Sequence, residues 1–94
     1  MRTYEVVLLI NPELDEEAVT GVIDRAKSWM TESGGTVTKV DNWGKRRMAY
    51  LIRKQREANY ALLVADLDPS TTDELERNLR FLEPVMRYMI TVTG

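Results

Sequence analysis

The middle of the chain reads DNWGKRRMAYLI over residues 41–52, and the rest of the predicted fold is organised around this stretch. Three consecutive cations, Lys45, Arg46 and Arg47, lie between the pair Trp43–Gly44 and an apolar run. The interior of a strand rarely carries so much charge of one sign unless an anionic molecule or a partner chain faces it. Because glycine lets the backbone kink, Gly44 predicts a β-bulge or a bend within a long strand.

Charge is divided unevenly along the chain. The net charge of −2 by itself argues against a nucleic-acid ligand. Residues 39–56, however, carry seven cations and one anion, whereas the remainder carries six cations and fourteen anions. Because the Debye length at physiological ionic strength is roughly 8 Å, a polyanion on the basic segment would barely feel acidic faces farther away. Local charge therefore keeps nucleic acid open as a ligand.

Length and composition indicate a soluble globular protein. With 94 residues, of which 44% are hydrophobic and 30% charged, residues 1–94 are predicted to form a single domain. No apolar run approaches the roughly 20 residues that a membrane span needs. The first residues, MRTYE, lack the layout of a secretory signal. We therefore expect a cytoplasmic protein without a membrane partner.

The residue types argue against catalysis. The chain has no histidine and no cysteine, which excludes serine–histidine, cysteine–histidine and zinc-type sites. Most carboxylates fall in the first turns of two predicted helices, where they complement the helix dipole. Asp68 precedes Pro69 and is interpreted as a helix cap. We expect no enzyme activity, no cofactor and no metal site.

The strands are predicted from apolar patterning. Residues 4–10 predict a strand that is apolar on both faces toward its end, and residues 60–67 are apolar on both faces, which is typical of a central strand. Residues 36–40 alternate and run on into the central stretch, and Gln55–Ala58 is polar enough for a hairpin loop. Residues 85–92 predict a last strand with Met86, Tyr88, Ile90 and Val92 on one side.

Two helices complete the pattern. Apolar residues repeat at helical spacing from Ala18 to Met30 and again from Leu75 to Leu82. Right-handed crossovers turn the order strand, helix, strand, strand, helix, strand into an α+β, ferredoxin-like β-α-β-β-α-β fold. Its four-stranded antiparallel sheet carries both helices on one face. The free face, expected to hold Val7, Leu9, Met89 and Arg87, suggests a partner.

Any RNA contact is expected to rest on charge and shape. The common RNA-recognition domain shares this fold order, but its glycine–aromatic signature on the third strand is absent, and Tyr60 alone does not form a stacking platform. Contacts should then be mostly phosphate neutralisation by arginine and lysine. Trp29 and Trp43 are interpreted as packing residues. Arg46 and Arg47 have an alternative explanation, since cations on an exposed strand prevent edge-to-edge aggregation.

These residues resemble the bacterial small-subunit ribosomal protein S-six family. MRTYE is similar to the family's Arg-x-Tyr-Glu start, and residues 44–52 resemble its signature Gly-x-Arg-Arg-Leu-Ala-Tyr-x-Ile. Met48 stands where leucine is usual, a change that keeps volume and apolarity. Residues 73–81 and 85–89 resemble the closing helix and strand, so the similarity covers essentially the whole chain.

The resemblance implies a structural constituent of the small ribosomal subunit that supports platform assembly and translation. It implies binding to the central domain of small-subunit ribosomal RNA as a heterodimer with ribosomal protein S-eighteen, with other small-subunit proteins reached indirectly. The expected location is on the ribosome, in the cytoplasm or in an organelle. Neither a cofactor nor a small-molecule substrate is implied.

Site residues are carried over from the matching positions. The expected RNA contacts are Arg2, Lys45, Arg53, Lys54, Arg56, Arg80 and Arg87. The expected partner-protein interface comprises Trp43, Arg46, Arg47, Met48, Tyr50, Val7, Leu9 and Met89. Side chains alternate along the second strand, and the sequence leaves the phase of this alternation open. We favour Met48 and Tyr50 pointing inward.

A different class of function fits the same fold. A regulatory module would bind a small ligand or a protein, without RNA, and its binding would be largely indifferent to salt. Binding to ribosomal RNA should weaken steeply as salt rises, because counterions are released. Self-association through the apolar free face is a further alternative, and an enzyme ranks behind both.

Overall fold

Strands and helices follow each other in the predicted order in a computed structural model that describes residues 1–93. The elements in chain order are β1 (Arg2–Ile10), α1 (Glu16–Glu32), β2 (Thr36–Ile52), β3 (Gln55–Leu67), a 3-10 turn (Pro69–Thr71), α2 (Thr72–Arg80) and β4 (Val85–Val92). The sheet order is β2-β3-β1-β4, and all neighbouring strands are antiparallel. The ferredoxin-like fold is thus confirmed. Within residues 1–93, no helix is long and apolar enough to cross a membrane.

The main core lies between the helices and one face of the sheet. Alternate side chains of the two central strands point into it, and Val6, Leu8 and Leu63 are fully buried. Because β1 and β3 have neighbours on both sides, they supply most of the sheet's share of this core. The buried helix residues are Val19, Val22, Ile23, Ala26 and Met30 of α1 and Leu75 and Leu79 of α2.

Both helical segments begin at aspartate caps. The Asp15 carboxylate accepts a hydrogen bond from the Ala18 amide at 2.8 Å, which satisfies one free N–H of the first turn of α1. Asp68 likewise accepts from the backbone and side chain of Ser70, at 3.0 and 2.9 Å. These hydrogen bonds hold the pKa of the Asp68 carboxyl below its ordinary value. The predicted capping role of Asp68 is confirmed.

The hairpin between β2 and β3 turns earlier than predicted. Ile52 pairs with Gln55, so the turn consists of Arg53 and Lys54, whose φ angles are +48° and +64°. The prediction of a loop at Gln55–Ala58 is wrong, since these residues begin β3. Two-residue turns of this hand usually carry Asn-Gly or Asp-Gly, and the Arg-Lys pair gives no such signal.

The bulge predicted at Gly44 is confirmed. The β2–β3 register shifts between Asn42 and Gly44, leaving Trp43 as the extra residue. Gly44 has φ +74°, and the Asn42 side chain accepts a hydrogen bond from its amide at 2.9 Å. A left-handed residue here suits glycine, which has no Cβ. The bulge bends the long β2 strand at the start of its basic stretch.

Candidate nucleic-acid and partner-protein interface

The sheet face away from the helices is apolar over its centre. Val7 of β1 pairs with Leu62 of β3 on one side and with Met89 of β4 on the other, so their side chains form a row across the sheet. Val7 and Leu62 are half-buried and Met89 is exposed. This row is the open part of the predicted free face.

One end of this face is covered by the chain itself. Leu9 is only 4% exposed because Met48 and Ala58 of the hairpin pack against it. Leu9 was expected to lie on the open surface, and the structure corrects that expectation. Sequence patterning assigns the face of a side chain but does not show that a bent hairpin returns over it.

The alternation along β2 also differs from the favoured phase. Arg46 pairs with Ala58, which faces away from the helices; Met48 packs with Ala58 on that side, and Tyr50 contacts Arg87 there. Met48 is buried as expected, but against Leu9 instead of the helix-side core. Tyr50 is 58% exposed, so the expectation that it points inward is wrong.

A bulge in the β1–β4 pairing changes the face of Met86. The pairing of β1 with β4 shifts between Leu9 and Ile10, and Met86 turns toward the Leu9 cluster. Tyr88 and Ile90 pack on the helix-side core. The prediction that Met86 shares their side is therefore wrong, because an extra residue in a strand reverses the alternation beyond it.

Trp43 packs on the sheet surface. Its ring lies nearly parallel to that of Tyr60, with 6.5 Å between the ring centroids and 19° between the ring planes. Trp43 is still 44% exposed, and the cations of residues 45–47 follow it directly. Trp29, on α1, is half-buried against the helix-side core. Both tryptophans thus pack on their own chain, and Trp43 also offers an accessible aromatic surface.

Most of the expected RNA-contact residues gather at one end of the molecule. That end is marked by Ile10, which pairs with Asn59 and Val85. It holds Lys45, Arg53, Lys54 and Arg56 of the hairpin, Arg87 opposite Leu9, and Arg80 at the end of α2. Arg2 pairs with Leu67 at the opposite end of β1 and stands apart.

Besides Arg80, which forms an ion pair with Glu76, two of these cations have partners within the chain. Arg53 donates to the backbone carbonyl oxygens of Glu83, at 3.0 Å, and Val85, at 3.3 Å. Arg87 donates to the Tyr50 hydroxyl, and its guanidinium carbon lies 6.0 Å from the centroid of that ring. The sequence gives no signal for either contact, because both depend on how the hairpin bends.

Sequence reasoning also missed a polar residue beside this end. Asn59 is buried, and its side-chain nitrogen donates to the Asn11 carbonyl at 3.1 Å. Asn59 lines a cavity of about 320 Å³, and Lys45 and the start of α1 form other parts of its wall. Among residues 1–93, no group of three or more His, Cys, Asp or Glu side chains is arranged to hold a metal ion.

Comparison with known proteins gives a consistent match. The sequence model of the family described as ribosomal protein S6 matches residues 3–92. The small ribosomal subunit protein bS6 of Moorella thermoacetica is 48% identical over 91 residues, which cover 97% of this chain and 93% of the relative. The protein of the same name from Desulforamulus reducens is 43% identical over 94 residues, covering 100% and 99%.

A solved structure agrees with the sequence matches. The crystal structure of 30S ribosomal protein S6 from Thermotoga maritima superposes with a TM-score of 0.93 at 29% identity. The match covers 98% of this chain and 87% of that one. Fold and sequence therefore point to the same family.

Proposed function

The chain belongs to the ribosomal protein S6 family of the small ribosomal subunit, and from this premise we propose that it binds the central domain of small-subunit ribosomal RNA as a heterodimer with ribosomal protein S-eighteen. Membership of this family makes it a structural ribosomal protein, which leaves the regulatory-module alternative without support. Its proposed role is to support platform assembly, bound to the ribosome in the cytoplasm.

The observation that carries this proposal is the juxtaposition of an apolar sheet face and a cationic hairpin. Val7, Leu62 and Met89 form an incompletely covered row, and burying apolar surface contributes about 25 cal/mol per Å². A partner protein seated on this row would shield it from water. The exposed ring of Trp43 and the side chain of Arg46 would extend that contact along β2, whereas Arg47 pairs with Glu57 and points to the other face of this edge strand.

The cations of the hairpin supply the proposed RNA contact. Lys45, Lys54 and Arg56 are exposed at the same end of the sheet as Arg80, while Arg2 would reach RNA from the opposite end. Neutralising phosphates releases counterions, which is the main source of sequence-independent affinity. Because the net charge is −2, the affinity of the chain alone should be weak. A basic companion would add its charge to the hairpin's, so RNA binding depends on the pair.

The experiment measures joint assembly of the chain, ribosomal protein S-eighteen and a central-domain RNA fragment over a range of KCl concentrations. We expect log K to fall linearly with log[KCl] for the wild type. Arg46→Glu with Arg47→Glu should weaken assembly by at least about tenfold. The two new negative charges would repel RNA phosphates, or acidic groups of the partner protein that the arginines contact in the wild type.

A matched control reverses the same number of charges on the helix layer. Arg25→Glu with Lys27→Glu changes two cations of α1 and should leave assembly close to wild type. Assembly that survives the β2 double variant would remove this stretch from the interface. Failure of the wild type to bind RNA together with its companion would overturn the proposed function itself.

A further inference from the structure

We infer that Arg53 is a positioning residue that fastens the tip of the β2–β3 hairpin across the sheet to the start of β4 and thereby fixes where neighbouring cations meet RNA. The second half of this statement rests on the proposed function. The guanidinium spans two backbone carbonyl oxygens, at 3.0 Å to Glu83 and 3.3 Å to Val85. The planar guanidinium presents N–H donors on two separate nitrogens in a fixed geometry, which matches two acceptors better than the single nitrogen of a lysine ammonium does.

The turn itself gives a reason for such a fastening. Arg53 and Lys54 both have left-handed backbone conformations, which residues other than glycine adopt uncommonly. A turn built from glycine or asparagine would form more readily. Contacts outside the turn can offset the cost of this backbone conformation, and the hydrogen bonds of Arg53 reach the start of β4 directly.

Two further contacts hold the hairpin along the same line. Met48 packs on Leu9 of β1, and the Tyr50 hydroxyl accepts a hydrogen bond from Arg87 of β4. Together with the Arg53 hydrogen bonds, these contacts are called the hairpin clasp. The clasp joins residues far apart in sequence at three successive points along the outer half of the hairpin.

The clasp determines the position of cations that are not part of it. Lys54 follows Arg53 in the turn and Arg56 lies in the first residues of β3, and both are exposed. Within residues 1–93, the ion pairs are Lys39–Asp41 and Arg80–Glu76, so Lys54 and Arg56 have no carboxylate partner there. Cations already held in place lose less conformational freedom on binding a phosphate backbone.

The test compares Arg53→Lys, which keeps the charge, with Arg53→Gln, which removes it. Both should weaken joint assembly with ribosomal protein S-eighteen and the RNA fragment by a similar factor, about fivefold to tenfold, the cost of ordering one or two long side chains. Neither should change the slope of log K against log[KCl]. Both should speed amide exchange at residues 53–57, while circular dichroism confirms that the fold is retained.

A matched control changes the neighbouring residue. Lys54→Gln should leave amide exchange unchanged and reduce the salt slope by about 1, the signature of one lost phosphate contact. The inference is overturned if Arg53→Lys matches the wild type while Arg53→Gln loses slope, since Arg53 would then contact phosphate itself. It is also overturned if amide exchange in Arg53→Lys equals the wild type. A wild type that does not bind RNA is a different failure, because it refutes the proposed function while amide exchange still reports on the clasp.

Discussion

The consequence of a substitution in this sheet depends on the strand that carries the residue and on the face to which it points. Val6 belongs to a central strand and is paired with Leu63 on one side and Ile90 on the other. It is 0% exposed beneath the helices. Val92 belongs to the edge strand β4 and is 46% exposed. The two valines therefore form a matched pair for measuring the value of burial.

Val6→Ala should lower the free energy of unfolding by about 1–3 kcal/mol, since it removes two methyl groups from a closed core and leaves a cavity. Val92→Ala should change it by less than about 0.5 kcal/mol. Urea denaturation followed by circular dichroism measures both. Equal effects of the two substitutions would contradict the assignment of Val6 to the core.

At this scale the sequence predicts burial better than orientation. Alternation in β1 correctly marks Val6 and Leu8 as core residues, because a regular strand keeps its period of two. The same reasoning fails for Tyr50 and Met86, since a bent hairpin and a bulge alter which face is covered. Leu9 was correctly placed on the face away from the helices, yet its burial by Met48 depends on a contact between distant elements.

Two glycines of the α1 region illustrate how elements constrain single positions. Gly21 lies inside α1, and a Cβ added there would meet nothing within 4 Å. Gly35 lies just before β2, and a Cβ added there would fall 2.8 Å from the Asp66 carbonyl oxygen and 2.9 Å from that of Met30. The first glycine is a helix residue with open space around it, whereas the second is a close contact between backbones.

Gly21→Ala should raise the free energy of unfolding by up to about 1 kcal/mol, because alanine favours the helix and restricts the unfolded chain. Gly35→Ala should lower it by about 1–3 kcal/mol, since backbone oxygen atoms cannot move aside as a flexible side chain can. Thermal denaturation of the two variants measures the opposite signs. A neutral Gly35→Ala variant would show that the junction between α1 and β2 has more room than the structure gives it.

At the scale of elements, the sequence predicts each element and misjudges a connection. Periodicity and the capping residues Asp15 and Asp68 are local signals, so both helices were found. The predicted hairpin turn was misplaced because Gln55–Ala58 is polar, as loops usually are, but pairs with β2 as part of a strand. This pairing depends on the position of β2, and the local sequence of β3 gives no sign of it.

The molecule as a whole separates its two tryptophans between opposite sides of the sheet. Trp29 belongs to the helix layer, whereas Trp43 lies with Tyr60 beside the basic stretch. The two residues can therefore report separately on the two sides. Only the side that carries Trp43 is proposed to receive the partner protein.

Trp29→Phe leaves Trp43 as the only tryptophan, and its emission should shift to the blue when ribosomal protein S-eighteen binds, because the half-exposed ring would lose water. Trp43→Phe leaves Trp29 and should show no comparable shift. Fluorescence titration measures both variants. A shift confined to the Trp29 reporter would place the partner on the helix layer and contradict the proposed interface.

For the whole molecule, the order of elements and the handedness of crossovers were sufficient to predict the topology. The charge distribution was equally readable, since residues 39–56 carry their cations on one hairpin whatever its exact path. What could not be read from the sequence is the path itself. The clasp depends on tertiary contacts. Through it, two residues that were expected to contact RNA bind the chain itself: Arg53 donates to backbone carbonyl oxygens and Arg87 to the Tyr50 hydroxyl.

The position of β1 has a consequence for biosynthesis. β1 precedes the other three strands of the sheet in the chain, yet one of its two flanking strands is β4, which follows all of them. During synthesis β1 can pair with β3 as soon as β3 has left the exit tunnel. The other edge of β1 stays unpaired until β4 has also emerged. The newborn protein therefore carries an unpaired row of amides and carbonyls along its most apolar strand until β4 has been made, and such an open edge favours pairing with other chains.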